Sequence, residues 1–275
     1  ATRITIPVEH HRTITGGLPN ATLVDASDPY EALRYVRTSE ELDLLRKAGT
    51  LCDSVYKEMV AMTRPGVSGT DLRRLVNVRC AEAGATYVFS HIGSFPTANP
   101  HECYPDYYAN DRKVNAGDVL YTELCLGYGT YWGKIWGTWF CGEPPAEYRR
   151  MFETASQAHD ALIDAFKPGT YARDYDRFAI ALRDKGYELR YPLINGWSAI
   201  NHNPAAGGVP DTKTGNIVKP FADWQFRAGE TYTVVAWIAL PGTEKGAWVG
   251  TSGALTETGF ERYNDRFPTQ LQVAG

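Results

Sequence analysis

The chain has 275 residues, 43% of them hydrophobic, enough apolar surface for one large domain or a compact pair of half-domains. A formal net charge of -4 argues against nucleic acid or an anionic membrane as the main partner, and no apolar run approaches the ~18 residues of a membrane span. The five cysteines, at 52, 80, 103, 125 and 141, show no C-x-x-C spacing and fit reduced thiols; the start, Ala1-Thr2-Arg3-Ile4, lacks an apolar leader, so a cytoplasmic protein is expected.

Residues 1–37 read as an extension ahead of the first clear helix signal. Thr38 followed by Glu41 forms a capping box, and Leu42, Leu45, Cys52, Val55 and Met59 then recur at helical spacing until Arg64-Pro65-Gly66. Thr70-Asp71 starts a second helix, with Leu72, Leu75, Val76 and Ala83 inward and Gly84 at its end. The pattern returns about a hundred residues later: a helix over 146–166 stops at Lys167-Pro168-Gly169, and another over 172–185 closes at Gly186. Segments 119–126, 131–141, 191–201, 230–240 and 247–257 are rich in Val, Ile, Thr, Tyr and Trp, are bounded by Gly or Pro, and read as strands. A unit of helix, basic-Pro-Gly, helix, Gly and strands thus occurs twice. That predicts an α+β fold of two pseudo-symmetric halves, with helices covering an antiparallel sheet.

The hairpin segment reads Gly117-Asp118-Val119-Leu120-Tyr121-Thr122-Glu123 and then Tyr131-Trp132-Gly133-Lys134-Ile135-Trp136-Gly137-Thr138-Trp139-Phe140. With the Arg-Pro-Gly turn and the C-terminal strands, it resembles the metal-binding hairpin of the pita-bread family, which holds methionine and proline aminopeptidases, prolidase and creatinase. The resemblance spans about residues 33–262 and implies that 38–275 form a pita-bread catalytic-type domain. It makes 1–37 an N-terminal extension, or the remnant of a junction to a domain that such relatives carry before it. It also implies a homodimer.

The resemblance further implies a run of metal ligands, Asp, Asp, His, Glu and Glu. These fall on Glu123, Lys134, Trp197, Val235 and Gly250. An ammonium group does not ligate a divalent cation, and four of the five positions carry no ligand, so neither metal nor any other cofactor is expected. Creatinase works without metal through a His in the third turn, but Trp197 takes that place here; its substrate-holding Glu positions fall on Trp136 and Val235.

His101 closes a stretch, Ser90–His101, that resembles the family's loop ending in a proton-shuttling His, and His202 matches a second His that contacts substrate. Glu123 and Lys134 face one another across the hairpin. Two readings are open for them: a catalytic base or Schiff-base lysine, or an ion pair that plugs the former cavity. The resemblance maps Trp136, Trp139, Trp197 and Trp237, with His91, near the former metal cavity, where they are expected either to wall a pocket suited to a planar or cationic small molecule or to pack as plain core.

The expected function is a metal-independent small-molecule enzyme of the creatinase-like group, cleaving a C–N bond by acid–base chemistry with His101, Glu123, Lys134 and His202. A lyase or isomerase acting on an aromatic substrate, and a non-catalytic binding protein on the same scaffold, are the alternatives. A surviving metalloenzyme would have to gather Asp106, Asp111, His101 and Glu123 around one ion.

Overall fold

The computed structural model describes residues 6–105, 111–196, 205–207 and 221–275. Two helices come first, α1 (Val8–Gly17) and α2 (Ser27–Tyr35), and α1 buries none of its residues. The chain joins the main body at Val36, which bridges to Glu230, and at Arg37, whose amide donates to the Gly229 carbonyl at 2.9 Å.

Helix α3 (Ser39–Met62) begins at the expected capping box. The Glu41 amide donates to Thr38 Oγ1 and the Thr38 amide donates back to Glu41 Oε2, which satisfies two otherwise unpaired donors. Leu45, Cys52, Val55 and Met59 form its buried face, with Leu42 partly buried. Ser68 and Asp71 cap α4 (Gly69–Glu82) in the same manner.

The sheet starts with β1 (Thr86–Pro96), β2 (Asp118–Tyr128) and β3 (Tyr131–Cys141). Helices α5 (Ala146–Ala165) and α6 (Asp176–Asp184) follow, then β4 (Glu188–Leu189), β5 (Ile194–Gly196), β6 (Ala205–Ala206), β7 (Thr231–Ala239), β8 (Gly246–Thr256), β9 (Gly259–Arg262) and β10 (Gln272–Ala274). Among the described residues the order is β1-β2-β3-β8-β7-β5-β6, with β10 on β3, β4 on β7 and β9 on β8. Every pairing is antiparallel except β10 with β3. This is the α+β, pita-bread arrangement, one helix pair under each half of the sheet.

Two expectations about strands need correction. Residues 90–96, read from sequence as part of a loop, belong to the edge strand β1, which pairs with β2 over its whole length apart from a bulge between Tyr87 and Phe89. The strand expected over 191–201 is regular only at 194–196, and residues 197–204 lie outside the described ones. Among the described residues no helix is long and apolar enough to cross a membrane.

The β2–β3 hairpin turns through Gly129-Thr130, with Gly129 at φ +60°, the left-handed region that such a tight loop needs. Strand alternation then sorts its side chains. Leu120, Leu124, Leu126, Ile135 and Trp139 point to the core under α3 and α4, while Tyr121, Trp136 and Phe140 belong to a second core. Helix α3 lies directly on β3: a Cβ on Gly133 would come within 2.5 Å of the Gly49 nitrogen.

One buried acid makes this layer pH-sensitive. Asp53 on α3 accepts a hydrogen bond from the Asp265 amide at 2.7 Å, and burial pushes its pKa up to about 7. Folding therefore favours the protonated form. Its contribution is full below the unfolded carboxylate range and is lost as pH rises from about 4 through about 7. Asp53→Asn is expected to flatten that fall and to leave the protein more stable at pH 8 by on the order of 2 kcal/mol. Urea unfolding of both proteins at pH 5 and pH 8 checks it, and an equal difference at the two pH values would remove Asp53 as the cause.

Candidate functional site

The strand register places five residues in one row across the sheet. His91 pairs with Glu123, Glu123 with Trp136, Trp136 with Gly250, and Gly250 with Val235. Directly opposed residues point to the same face of a sheet, so this row lies along one face. Lys134 pairs with Cys125, one step further along the same face. Glu123 and Lys134 are thus diagonal neighbours rather than directly opposite, and the long lysine stem bridges the offset.

Lys134 Nζ forms an ion pair with Glu123 Oε1, with both residues buried. The ammonium also lies 4.2 Å from the Trp136 ring centre and 5.3 Å from that of Phe89. Ion pair and ring contacts together offset the cost of burying a charge. The Lys134 amide donates to Ser252 Oγ at 3.0 Å, which ties β3 to β8 at this point.

Glu123 Oε2 accepts a hydrogen bond from the Tyr104 hydroxyl at 2.9 Å. The Tyr104 ring packs 5.3 Å from Trp237 and 5.5 Å from Trp248, and the two indoles are 4.8 Å apart. Trp248 is anchored by donating from Nε1 to the Gly137 carbonyl at 2.9 Å, and Tyr191 lies 6.4 Å from Trp237. His91 is half-buried, and burial holds its imidazole below the usual histidine range; the Glu123 charge opposes this, while Arg73 and Lys134 reinforce it.

The expected site residues therefore divide. Glu123, Lys134, Trp136 and His91 come together, and Trp237 joins them through Tyr104. Trp139 does not: it sits on the opposite face, its ring 5.7 Å from Tyr56 and its Nε1 donating to Thr63 Oγ1 at 3.0 Å. An odd separation from Lys134 and Trp136 along one strand puts it there, and its proper reading is core. His101 is exposed, with its ring 4.6 Å from Phe95, and among the described residues it makes no hydrogen bond or ion pair with Glu123 or Lys134. Asp111 is exposed as well. Trp197, His202 and Asp106 lie outside the described residues. Cys125 is fully buried and its thiol is pushed up by burial, which suits core rather than nucleophile.

Sequence reasoning missed Tyr104, Trp248 and Phe89. Trp248 lies in a segment read as a strand, and strand alternation from the Gly250 position would have found it. Tyr104 follows His101 by three residues in an irregular segment, so nothing local says which ring it meets.

The pair of metal ions that the resemblance implies can be tested against this surface. Glu123 is engaged on both oxygens, by Lys134 and by Tyr104. A Cβ on Gly250 would meet the Trp136 ring at 2.7 Å and Val235 Cγ2 at 3.0 Å, so an indole already fills the space above that position. No three His, Cys, Asp or Glu residues gather as a metal-holding group among the described residues. These residues do not fit a dinuclear centre.

Known proteins bear on this surface in three ways. A profile of metallopeptidase family M24 matches residues 43–251. A probable dipeptidase, PepE, of Mycobacterium tuberculosis is 29% identical over 157 residues, which is 56% of this chain and 40% of that protein. An uncharacterized peptidase of Staphylococcus aureus is 22% identical over 191 residues, 68% of this chain and 53% of its own. The matches thus span about half the length of these curated relatives or less. Among solved structures, an X-Pro aminopeptidase from Thermotoga maritima superposes with a TM-score of 0.81 at 20% identity, covering 98% of this chain and 73% of that one. A prolidase from Pyrococcus horikoshii gives 0.82 at 17% identity, covering 96% and 74%. At such identity these likenesses show the fold alone. The family profile, covering most of the chain and both strands of the Glu123–Lys134 hairpin, places it: this chain belongs to metallopeptidase family M24.

Proposed function

We propose that this chain is a hydrolase of the creatinase-like group that cleaves a C–N bond in a small substrate without a metal ion. Membership of a peptidase family and likeness to a probable dipeptidase support the reaction class. The observation that carries metal independence is the buried Lys134 ammonium paired with Glu123, where the family resemblance implies two metal-binding carboxylates. Aromatic walls from Trp136, Trp237 and Trp248 favour a planar substrate over an extended chain.

His91 is the base of this proposal. Its imidazole, kept neutral by burial, takes a proton from the attacking water, and the hydroxide oxygen bonds to the carbonyl carbon. As the C–N bond breaks, the imidazolium returns that proton to the departing nitrogen. Glu123, held in place by Lys134, orients the water and faces the imidazolium while it exists.

The test is turnover of a panel of dipeptides and small aromatic amides with and without excess chelator. Turnover is expected to be indifferent to chelator, and His91→Gln and Glu123→Gln are each expected to lower it by about 10²- to 10⁴-fold. Turnover abolished by chelator and restored by a divalent metal would refute metal independence.

A further inference from the structure

We propose that Tyr104 occupies the seat of the substrate's ring, so that the site takes an aromatic ring bearing a hydrogen-bond donor and admits it when Tyr104 swings aside. This deepens the reading above and rests on this face being the substrate site.

Tyr104 differs in origin from its neighbours. Glu123, Lys134, Trp237 and Trp248 stand on β2, β3, β7 and β8, strands that each have a paired neighbour on both sides. Tyr104 comes from the stretch 97–105, which has no helix or strand, and it is partly exposed while Glu123 and Trp248 beneath it are buried. It lies outside the strands of the sheet.

What Tyr104 does there resembles a bound ligand. Its ring lies against two indoles at 5.3 and 5.5 Å, and its hydroxyl donates to the one Glu123 oxygen that Lys134 does not take. A buried carboxylate oxygen needs a donor, and leaving it unpaired is costly. A phenol, aniline or indole entering this seat would replace these contacts, ring for ring and donor for donor. A plain hydrocarbon ring would leave Glu123 Oε2 unpaired. An aromatic carboxylate would set a second negative charge beside it. The seat therefore selects the donor-bearing ring.

The alternative is that Tyr104 is a fixed wall that touches the substrate. The two roles give opposite signs in one variant. Tyr104→Phe keeps the ring and loses the bond to Glu123, so it loosens a gate but impoverishes a wall.

The experiment is calorimetric titration of the whole chain with p-cresol and with toluene, in wild type and Tyr104→Phe. Wild type is expected to bind p-cresol at least about tenfold more tightly than toluene. Tyr104→Phe is expected to bind p-cresol about five- to tenfold more tightly than wild type, because less of the protein is held closed. Equal or weaker binding of p-cresol by Tyr104→Phe, or no preference for p-cresol over toluene in wild type, overturns the proposal. The wild-type comparison needs no variant and stands whether or not Tyr104→Phe folds. Binding is also read apart from turnover: p-cresol seated in a protein that hydrolyses nothing would keep the seat and remove the hydrolase, and the reverse result would do the opposite.

Discussion

Replacing Lys134 by methionine is expected to cost the fold about 3–5 kcal/mol, among the largest effects of any single change in this chain. The reason is asymmetric. Lys134 is 1% exposed and its ammonium faces Glu123, which is 9% exposed. With the lysine gone, a carboxylate stays in a water-poor site, and among the described residues only the Tyr104 hydroxyl still serves it. Glu123→Gln is expected to cost less than Lys134→Met, because a neutral amide can still accept from Tyr104 and the ammonium retains its ring contacts with Trp136 and Phe89. The double variant Glu123→Leu/Lys134→Met removes both charges at once and is expected to recover most of the loss. Denaturant unfolding of wild type, Lys134→Met, Glu123→Leu and the double variant closes the cycle. Additive losses would show that the two side chains do not depend on one another in solution.

Gly250→Glu is the second large effect, an expected loss of more than about 4 kcal/mol, enough to prevent folding at ordinary temperatures. The family resemblance puts a carboxylate at this position, so the change looks like a restoration. The packing says otherwise: the first carbon of any side chain there lands 2.7 Å from Trp136 Cε3 and 3.0 Å from Val235 Cγ2. Neither neighbour is the loose end of a flexible chain, and the added carboxylate would be buried. Trp136→Ala made together with Gly250→Glu is expected to recover part of the loss by vacating the space. Thermal melts of both variants check this. A Gly250→Glu protein as stable as wild type would mean that the indole does not fill that space.

The two changes describe one event from two sides. The Lys134 ammonium pairs with Glu123 and the Trp136 indole fills the volume over Gly250, so side chains occupy both positions of this surface. A single reversion cannot reopen it, because each replacement is packed against the next: Lys134 on Trp136, Trp136 on Gly250, Gly250 beside Val235.

Much of the fold was legible without coordinates because its signals are local. Thr38 and Glu41 are three residues apart, and a capping box needs nothing else. The hairpin strands, expected over 119–126 and 131–141, run over 118–128 and 131–141, since β-branched and aromatic residues between Gly and Pro leave little choice. Residues 86–96 were harder. Their partners are on β2, some thirty residues away, and the glycine, serine and proline within the stretch imitate a loop. Trp139 was misplaced for a different reason. The resemblance draws both Trp136 and Trp139 toward the site, when counting by twos from Lys134 separates them.

The sequence alone determined the α+β class and the twice-repeated helix-and-strand unit, which follow from periodicity and from caps; it set Glu123 and Lys134 on one hairpin with a catalytic and a structural role both open. The tertiary structure alone decided that the Trp136 ring lies over Gly250, that His91 rather than His101 stands beside Glu123, and that Tyr104 closes over the carboxylate. Those contacts join residues from strands and a loop distant in the chain, and their distances are set by sheet register and side-chain packing, neither of which is written in any local run of residues.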